Sequence, residues 1–176
     1  IGGQDIPLIR RFGCGYAQGV IHANADAKVV ANMTGTTGAA WNDPVKGAEL
    51  TKSQISQSAD VVYAAAGGTG VGVLQAAADE GILSIGVDSN QNYLHPGQVL
   101  TSMLKRVDVA VYNAFSEGSA LTTGFNVMGL ADDGAGYAVD DNNATLISSD
   151  MLSAVEDAKN QIVSGALIVH DYMSDN

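Results

Sequence analysis

The sequence predicts an α/β domain in which helices flank a parallel β-sheet. Short apolar runs of strand length alternate with stretches in which apolar residues recur at helical spacing. Glycine and proline turns separate them at the spacing of repeated βαβ units, whose strands are parallel. The 176 residues, of which 46% are hydrophobic, are enough for one core of ordinary size.

In the first half, the chain opens as the end of a strand that meets a glycine turn. A helix is predicted from Pro7 to His22, because proline suits a first turn and apolar residues recur every four positions. Its buried face is expected to consist of Leu8, Phe12, Tyr16 and Val20. A short strand at 28–33, a helix that Asp43 and Pro44 start, and a strand at 60–66 follow.

In the second half, the glycine run 67–72 turns a strand into a helix that Gly81 closes. Further strands are predicted at 82–87 and 99–102, and the next helix ends near Ser116. A late strand pair is expected at 126–130 and 136–139, joined across 132–134. The last helix starts at Ser148–Asp150 and ends before Gly165, with a possible final strand at 166–169.

Composition disfavours several classes of function. With 19 acidic and 8 basic side chains the formal charge is −11, which repels nucleic acid and other polyanions. One cysteine, Cys14, permits neither an intrachain disulfide nor a cysteine-built metal site. The three histidines lack metal spacing, and no nucleophile elbow occurs. The expectation is therefore a protein without metal, cofactor or catalytic residues.

The candidate binding residues follow the predicted strands, because an open parallel sheet exposes its ligand crevice at the carboxyl ends of its strands. The segments concerned are Trp41-Asn42-Asp43, the glycine run around Gly68, Asp88 to Gln91, and Thr101 to Lys105. An exposed Trp41 ring could stack on a flat ligand, or it could fold onto neighbouring loops. Lys105 opposes the dipole of the helix it precedes, which indicates that another requirement placed it there.

The glycine run also permits a dinucleotide-binding interpretation. Asp88 lies about twenty residues after Gly68, where a ribose-binding carboxylate is expected in that motif. The third glycine of the motif would fall at Val73, and the P-loop ending is missing. A Rossmann-like NAD-dependent enzyme is therefore the weaker alternative.

Four runs resemble the basic membrane protein family in order and spacing. They are Trp41 to Gly47, Ala66 to Gly72, Ile85 to Gln91 and Val99 to Lys105, and the early helix and the segment 134–137 also fit. The resemblance covers nearly the whole chain. It implies a type I periplasmic-binding-protein fold, in which two α/β lobes close on a ligand that an ABC importer transports.

The resemblance also implies roles for individual residues. Trp41 would stack on the base of a purine nucleoside, although the family usually carries phenylalanine there. Asp88 and Lys105 would address the sugar hydroxyls, and Gly68 would let the backbone approach the ligand. Asn42 and Asp43 complete the expected ligand-binding set.

The same resemblance predicts that residues 1–176 form the C-terminal ligand-binding lobe and that an N-terminal first lobe is absent from this chain. The expected partners are that lobe, the ABC permease subunits and the nucleoside. The expected location is periplasmic or extracytoplasmic, with a lipoprotein anchor in the full-length form. The alternatives are another small ligand in the same fold, such as a sugar, a flavin-like ring or a signalling molecule, or a sensor of a regulator.

Overall fold

The computed structural model describes residues 1–175, which contain six strands and five helices around one sheet. The strands are β1 (Gly2–Gln4), β2 (Met33–Gly35), β3 (Val61–Tyr63), β4 (Leu83–Asp88), β5 (Val99–Lys105) and β6 (Ala135–Tyr137). The helices are α1 (Pro7–Ala23), α2 (Pro44–Ile55), α3 (Thr69–Asp79), α4 (Val107–Glu117) and α5 (Ser149–Ser164).

The sheet has the order β2-β1-β3-β4-β5-β6. A parallel bridge between Gly2 and Ala65 joins β1 to the end of β3, and the Gly3 amide donates to the Ala65 carbonyl at 2.9 Å. The first five strands are parallel, and β6 pairs with β5 in the antiparallel direction. The predicted fold class, a parallel sheet flanked by helices, is confirmed.

The predicted helix boundaries rest on side-chain caps that the structure contains. The Asp43 carboxylate accepts a hydrogen bond from the Lys46 amide at 2.9 Å, and Pro44 takes the first position of α2. The Ser148 hydroxyl accepts from the Met151 amide at 3.2 Å. After α5, Gly165 adopts a left-handed conformation with φ of 78°, which glycine tolerates without a steric penalty.

The core lies between the sheet and α3, and α2 packs against α3. Its buried members are Val62, Ala64, Val73, Leu74, Ala77 and Val99. Glycines let the two helices approach each other: a Cβ atom on Gly72 would overlap the Pro44 carbonyl, and one on Gly47 would meet the Thr69 carbonyl oxygen. The contact between the two helices is therefore made partly by backbone.

The buried face of α1 differs from the prediction. Leu8 is 54% exposed, and the buried residue of this helix is Ile9, which lies against Gly2. A step of four residues overshoots one helical turn by about 40°, so the three steps from Leu8 to Val20 wind around the helix. The start of the predicted stripe consequently points to solvent.

Three predicted strands are wrong in whole or in part. Segment 28–32 is irregular and only Met33–Gly35 pairs, while 126–130 and 166–169 form no strand. Their apolar side chains are largely exposed, including Val127 and Ile168 at 84% each. Each segment has strand-like composition but lacks a neighbouring strand among the described residues, and a strand outside a sheet leaves its backbone groups unpaired. Within residues 1–175, no helix has both the length and the apolarity needed to cross a membrane.

We expect the stability of the 176-residue chain to rise between pH 6 and pH 8. The Ile1 ammonium is buried beside the Tyr63 carbonyl, and burial lowers its pKa from 8.0 to about 6. Between pH 6 and pH 8 the unfolded chain binds more protons than the folded chain. The free-energy cost of burying the charged amine is therefore complete below pH 6 and absent above pH 8. The free energy of unfolding should change by about 3 kcal/mol from this group.

Urea denaturation at pH 5.5 and 8.5 measures this change. Acetylation of the Ile1 amine is the matched control, because it removes the charge and retains one N–H for Tyr63. If the acetylated chain showed the same difference in free energy of unfolding between the two pH values as the unmodified chain, the Ile1 amine would not be its cause.

Candidate functional site

The candidate residues meet at the edge of the sheet where the five parallel strands end. Trp41 follows β2, Gly68 follows β3, and Asp88 and Lys105 are the last residues of β4 and β5. The carboxyl ends of parallel strands form the ligand crevice of an open α/β sheet. Residues that are up to 64 positions apart in sequence thus share one surface.

Asp88 and Lys105 form an ion pair at this edge. The Lys105 Nζ atom lies 2.8 Å from Asp88 Oδ1, and the two side chains are 53% and 48% exposed. The pairing follows from the register of β4 and β5, in which Asp88 lies opposite Leu104. A cavity of about 540 Å³ opens beside them, lined also by Arg106 and Asp108.

The backbone of Asp88 is left-handed, with φ of 68°. Aspartate and asparagine tolerate this conformation better than most other residues. The turn that follows is held by Gln91, whose side-chain oxygen accepts from the Val87 amide at 2.8 Å and whose amide donates to Ser102 Oγ at 2.9 Å. Gln91 and not the Asp88 carboxylate therefore caps this turn, and the carboxylate pairs with Lys105.

A polar network that the sequence did not reveal supports this turn. Asp140, beyond β6, accepts from Asn90 Nδ2 at 2.6 Å, from the Asn142 amide at 2.7 Å and from Asn92 Nδ2 at 3.3 Å. The Asn90 hydrogen bond, followed by that of Asn142, holds the pKa of Asp140 below its ordinary value. The only signal in the sequence is the polar composition of 88–92, since Asp140 lies some fifty residues away.

Trp41 ends a short 3-10 helix, Gly38–Trp41, and is half-buried. Its ring lies against Gly3, where a Cβ atom would overlap the ring, and its Cε3 atom approaches Gly67. Its Nε1 atom donates to Gln4 Oε1 at 3.3 Å. The ring therefore packs partly on β1 and on the turn after β3. Stacking by its remaining exposed part stays a prediction.

The loops that carry the site contact each other at Gly68, Asn42 and Asp43. A Cβ atom on Gly68 would lie 3.1 Å from the Trp41 carbonyl oxygen and 3.3 Å from Asn42 Oδ1. The Asp43 amide donates to Thr69 Oγ1 at 2.7 Å. A side chain at position 68 would therefore crowd the contact between the two loops. Its approach to a ligand, and ligand contacts by Asn42 and Asp43, stay predictions.

The later glycines of the run serve helix packing. Gly70 lies in ordinary contact with Ala64, and Gly72 lies against the Pro44 backbone. Val73, where a dinucleotide motif requires glycine, is fully buried in α3. Among residues 1–175, no group of three or more histidine, cysteine or acidic side chains is arranged to hold a metal ion.

Comparisons with known proteins identify the family of this chain. The family model described as Bmp, ABC transporter substrate-binding protein PnrA-like, matches residues 1–172. Basic membrane protein D of Borreliella burgdorferi is 34% identical over 81% of this chain and 42% of its own length. Several curated relatives align with 96% of the chain, and the chain spans about half of their length.

Solved structures match the fold over most of the chain. An ABC transporter solute-binding protein from Aeropyrum pernix K1 has a TM-score of 0.81 and 29% identity over 98% of this chain and 58% of that one. A transcriptional activator of the comK gene from Bacillus halodurans has a TM-score of 0.64 and 25% identity over 77% and 48%. The chain belongs to the Bmp family of PnrA-like ABC transporter substrate-binding proteins.

Proposed function

We propose that this chain is the second lobe of a two-lobed protein that captures a purine nucleoside outside the cytoplasm and delivers it to an ABC permease. In this proposal a lipid anchor holds the full-length protein at the membrane. The observation that carries the proposal is the Asp88–Lys105 pair at the carboxyl edge of the sheet.

The pair suits a neutral ligand that carries hydroxyl groups. An exposed ion pair contributes about 0–1 kcal/mol, so ligand hydroxyls displace it at little cost. A carboxylate accepts hydrogen bonds and an ammonium donates them, so two adjacent hydroxyls match Asp88 and Lys105 together. The pair has no net charge.

A phosphate is a poorer match for this edge. The neighbouring cation, Arg106, already pairs with Asp133 at 3.0 Å and with Asp108 at 3.3 Å. Lys105 in turn pairs with Asp88. An incoming dianion would have to displace these carboxylates on a chain of formal charge −11. Nucleosides are therefore favoured over nucleotides.

The spacing of the edge suits a base joined to a sugar. Trp41 lies against Gly67, just beyond β3, and the polar pair ends β4 and β5. Neighbouring strands are about 4.8 Å apart, so the aromatic ring lies about 5 Å along the edge from the end of β4 and about 10 Å from the end of β5. A base on the ring would place its sugar near Asp88 and Lys105.

Exposed apolar surface supports the presence of a first lobe. No residue of α4 is buried, and the segment after it is equally open, with Phe115 82% exposed and Phe125 fully exposed. The exposed large apolar residues of this region are Val107, Val111, Tyr112, Phe115, Leu121, Phe125 and Val127. Large exposed apolar surfaces mark protein interfaces, and α4 starts two residues after Lys105. We assign it to contact with the other half of the protein.

Fluorescence titration of the two-lobed protein with a purine ribonucleoside tests the proposal. We expect the Trp41 signal to change on binding, because stacking alters the surroundings of the indole. Trp41→Ala should weaken binding by about 5- to 150-fold, which corresponds to the 1–3 kcal/mol of a base–aromatic contact. Trp41→Phe should bind within a few-fold of the parent.

Thermal unfolding of both variants is the control, since Trp41 also packs on Gly3 and Gly67. Equal nucleoside affinities for the parent and the two folded variants would show that the ring has only a packing role.

A second candidate function is the sensor of a transcriptional regulator. The likeness to the Bacillus halodurans activator favours it, because part of that protein has a fold similar to this chain. The sequence upstream of Ile1 in the gene distinguishes the two: a signal peptide with a lipidated cysteine supports transport, and a helix-turn-helix supports regulation.

A further inference from the structure

Asp140 lies just beyond β6, and its side chain reaches the turn that carries Asp88. Its Oδ2 atom accepts hydrogen bonds from Asn90 Nδ2 at 2.6 Å and from Asn92 Nδ2 at 3.3 Å, and its Oδ1 atom accepts from the Asn142 amide at 2.7 Å. Asn90 lines the cavity beside Asp88 and lies two positions after it. Because both carboxylate oxygens are engaged, Asp140 links the segment after β6 to the wall of the candidate site.

A buried asparagine fixes the position of Asp140 itself. Asn143 is fully buried, and its Oδ1 atom accepts from the Asp140 amide at 2.8 Å. Its Nδ2 atom donates to the Leu100 carbonyl at 2.8 Å and to the Ala138 carbonyl at 3.0 Å. Leu100 belongs to β5, the strand that ends at Lys105. The Asp140 carboxylate is therefore held relative to the strand that carries the other half of the ion pair.

The turn after β4 depends on the buried end of the same network. Asn92 is fully buried, and its Oδ1 atom accepts from Ser102 Oγ at 2.8 Å, which in turn accepts from the Gln91 amide at 2.9 Å. Among residues 1–175, the other acceptor of Asn92 Nδ2 besides Asp140 is the Ala138 carbonyl, at 3.5 Å. A buried amide that loses its partner costs free energy, because water does not replace that partner. The turn would have to move to satisfy Asn92 in another way.

The conformation of Asp88 requires this support. Its φ of 68° lies in the left-handed region, which is unfavourable for a residue with a side chain and persists where surrounding contacts hold it. Its carboxylate is directed to Lys105, at 2.8 Å. The contacts that hold the turn therefore come from Gln91 and from the two asparagines that bond to Asp140.

We propose that Asp140 is a positioning residue for sugar recognition: through Asn90 and Asn92 it fixes the turn that directs the Asp88 carboxylate at the ligand. This inference rests on the proposed nucleoside function. A carboxylate is needed at position 140 because both of its oxygens accept hydrogen bonds, whereas an asparagine has one acceptor oxygen and would turn its amide group towards a donor. Recognition groups must be held within about 0.5 Å of their productive position, and hydrogen bonds from supporting residues provide that precision.

Calorimetric titration of the two-lobed protein tests the proposal. The ligands are the purine ribonucleoside that the parent binds, chosen from adenosine, guanosine and inosine, and its 2′,3′-dideoxy form, which lacks the hydroxyls that Asp88 addresses. We expect Asp140→Asn to weaken binding of the ribonucleoside by roughly 5- to 50-fold and binding of the dideoxy form by less than about twofold. Asp141→Asn is the matched control, since Asp141 is exposed and carries the same charge, and it should leave both affinities unchanged.

An exchange of donor and acceptor distinguishes positioning from the loss of a charge. Asn90→Asp alone places two carboxylates against each other, so it should weaken ribonucleoside binding as Asp140→Asn does. In the double variant that combines the two substitutions, an amide again donates to a carboxylate between the same positions, and the net charge equals that of the parent. We expect the double variant to bind the ribonucleoside at least about threefold more tightly than either single variant.

Amide hydrogen exchange of the 176-residue chain without ligand gives a second measurement. The Asn92 amide donates to Asn90 Oδ1 at 3.0 Å, so its exchange should accelerate at least about tenfold in Asp140→Asn relative to that of Leu74 in the core. Unchanged relative exchange at Asn92, equal weakening of both ligands, or no recovery in the double variant would overturn the positioning role. If the parent binds none of the three nucleosides, the proposed function fails, and the exchange at Asn92 alone then decides whether Asp140 holds the turn.

Discussion

Gly72→Ala is expected to destabilise the chain by about 3 kcal/mol or more, which is enough to unfold a domain of marginal stability. The added Cβ atom would overlap the carbonyl of Pro44, and backbone cannot rotate away as a flexible side chain can. The methyl group would separate α2 from α3, and α3 supplies Val73, Leu74 and Ala77 to the core. Urea denaturation of the 176-residue chain measures the loss.

Gly19→Ala is the matched control. Gly19 lies in α1, and nothing lies within 4 Å of a Cβ atom there. Alanine should therefore stabilise that helix by up to about 1 kcal/mol through its higher helix propensity. If Gly72→Ala changed the free energy of unfolding no more than Gly19→Ala does, α2 and α3 would not be in close contact at Gly72.

In the two-lobed protein, Asp88→Asn is expected to weaken binding of a purine ribonucleoside by roughly 10- to 150-fold. A hydrogen bond to a charged group contributes about 1.5–3 kcal/mol, and the substitution removes the charge of the acceptor. Asparagine is the informative replacement, because Asp88 has a φ of 68° and asparagine accepts that conformation without added strain. Calorimetric titration measures the affinity.

Asp79→Asn provides the same change of charge at an exposed site at the end of α3, and it should leave affinity unchanged. Lys105→Met should weaken binding in the same range as Asp88→Asn. Because both residues address the same sugar, a 2′-deoxynucleoside or a 3′-deoxynucleoside should be less sensitive to one of the two substitutions. If Asp88→Asn bound the ribonucleoside and both deoxy forms as tightly as the parent, Asp88 would be a residue of the turn alone.

The parts of the fold that local chemistry determines could be predicted from the sequence. The starts of α2 and α5 depend on an aspartate and a serine that bond to amides three residues away, so the signal lies within one turn. The shared position of Asp88 and Lys105 at the carboxyl edge of the sheet followed from one rule about parallel strands. Their contact at 2.8 Å was not predicted, because it needs β5 to extend to Lys105, beyond the predicted end of that strand at Ser102.

The parts that depend on distant partners could not be predicted. Segment 28–32 has the composition of a strand, yet pairing requires a neighbour that composition does not identify. The support of the Asp88 turn by Asp140 joins residues some fifty positions apart. The position of Trp41 depends on Gly3, which has no side chain and therefore admits the ring. Each of these features depends on contacts between segments that are far apart in the sequence.

The central claim is that the carboxyl edge of this lobe recognises a neutral nucleoside through its sugar. Calorimetric titration of the two-lobed protein with a purine ribonucleoside, its free base and its 5′-monophosphate tests this most directly. We expect the ribonucleoside to bind at least tenfold more tightly than the free base, since the base alone has no hydroxyls for Asp88 and Lys105, and more tightly than the monophosphate. Equal or tighter binding of the free base or the monophosphate would contradict the account.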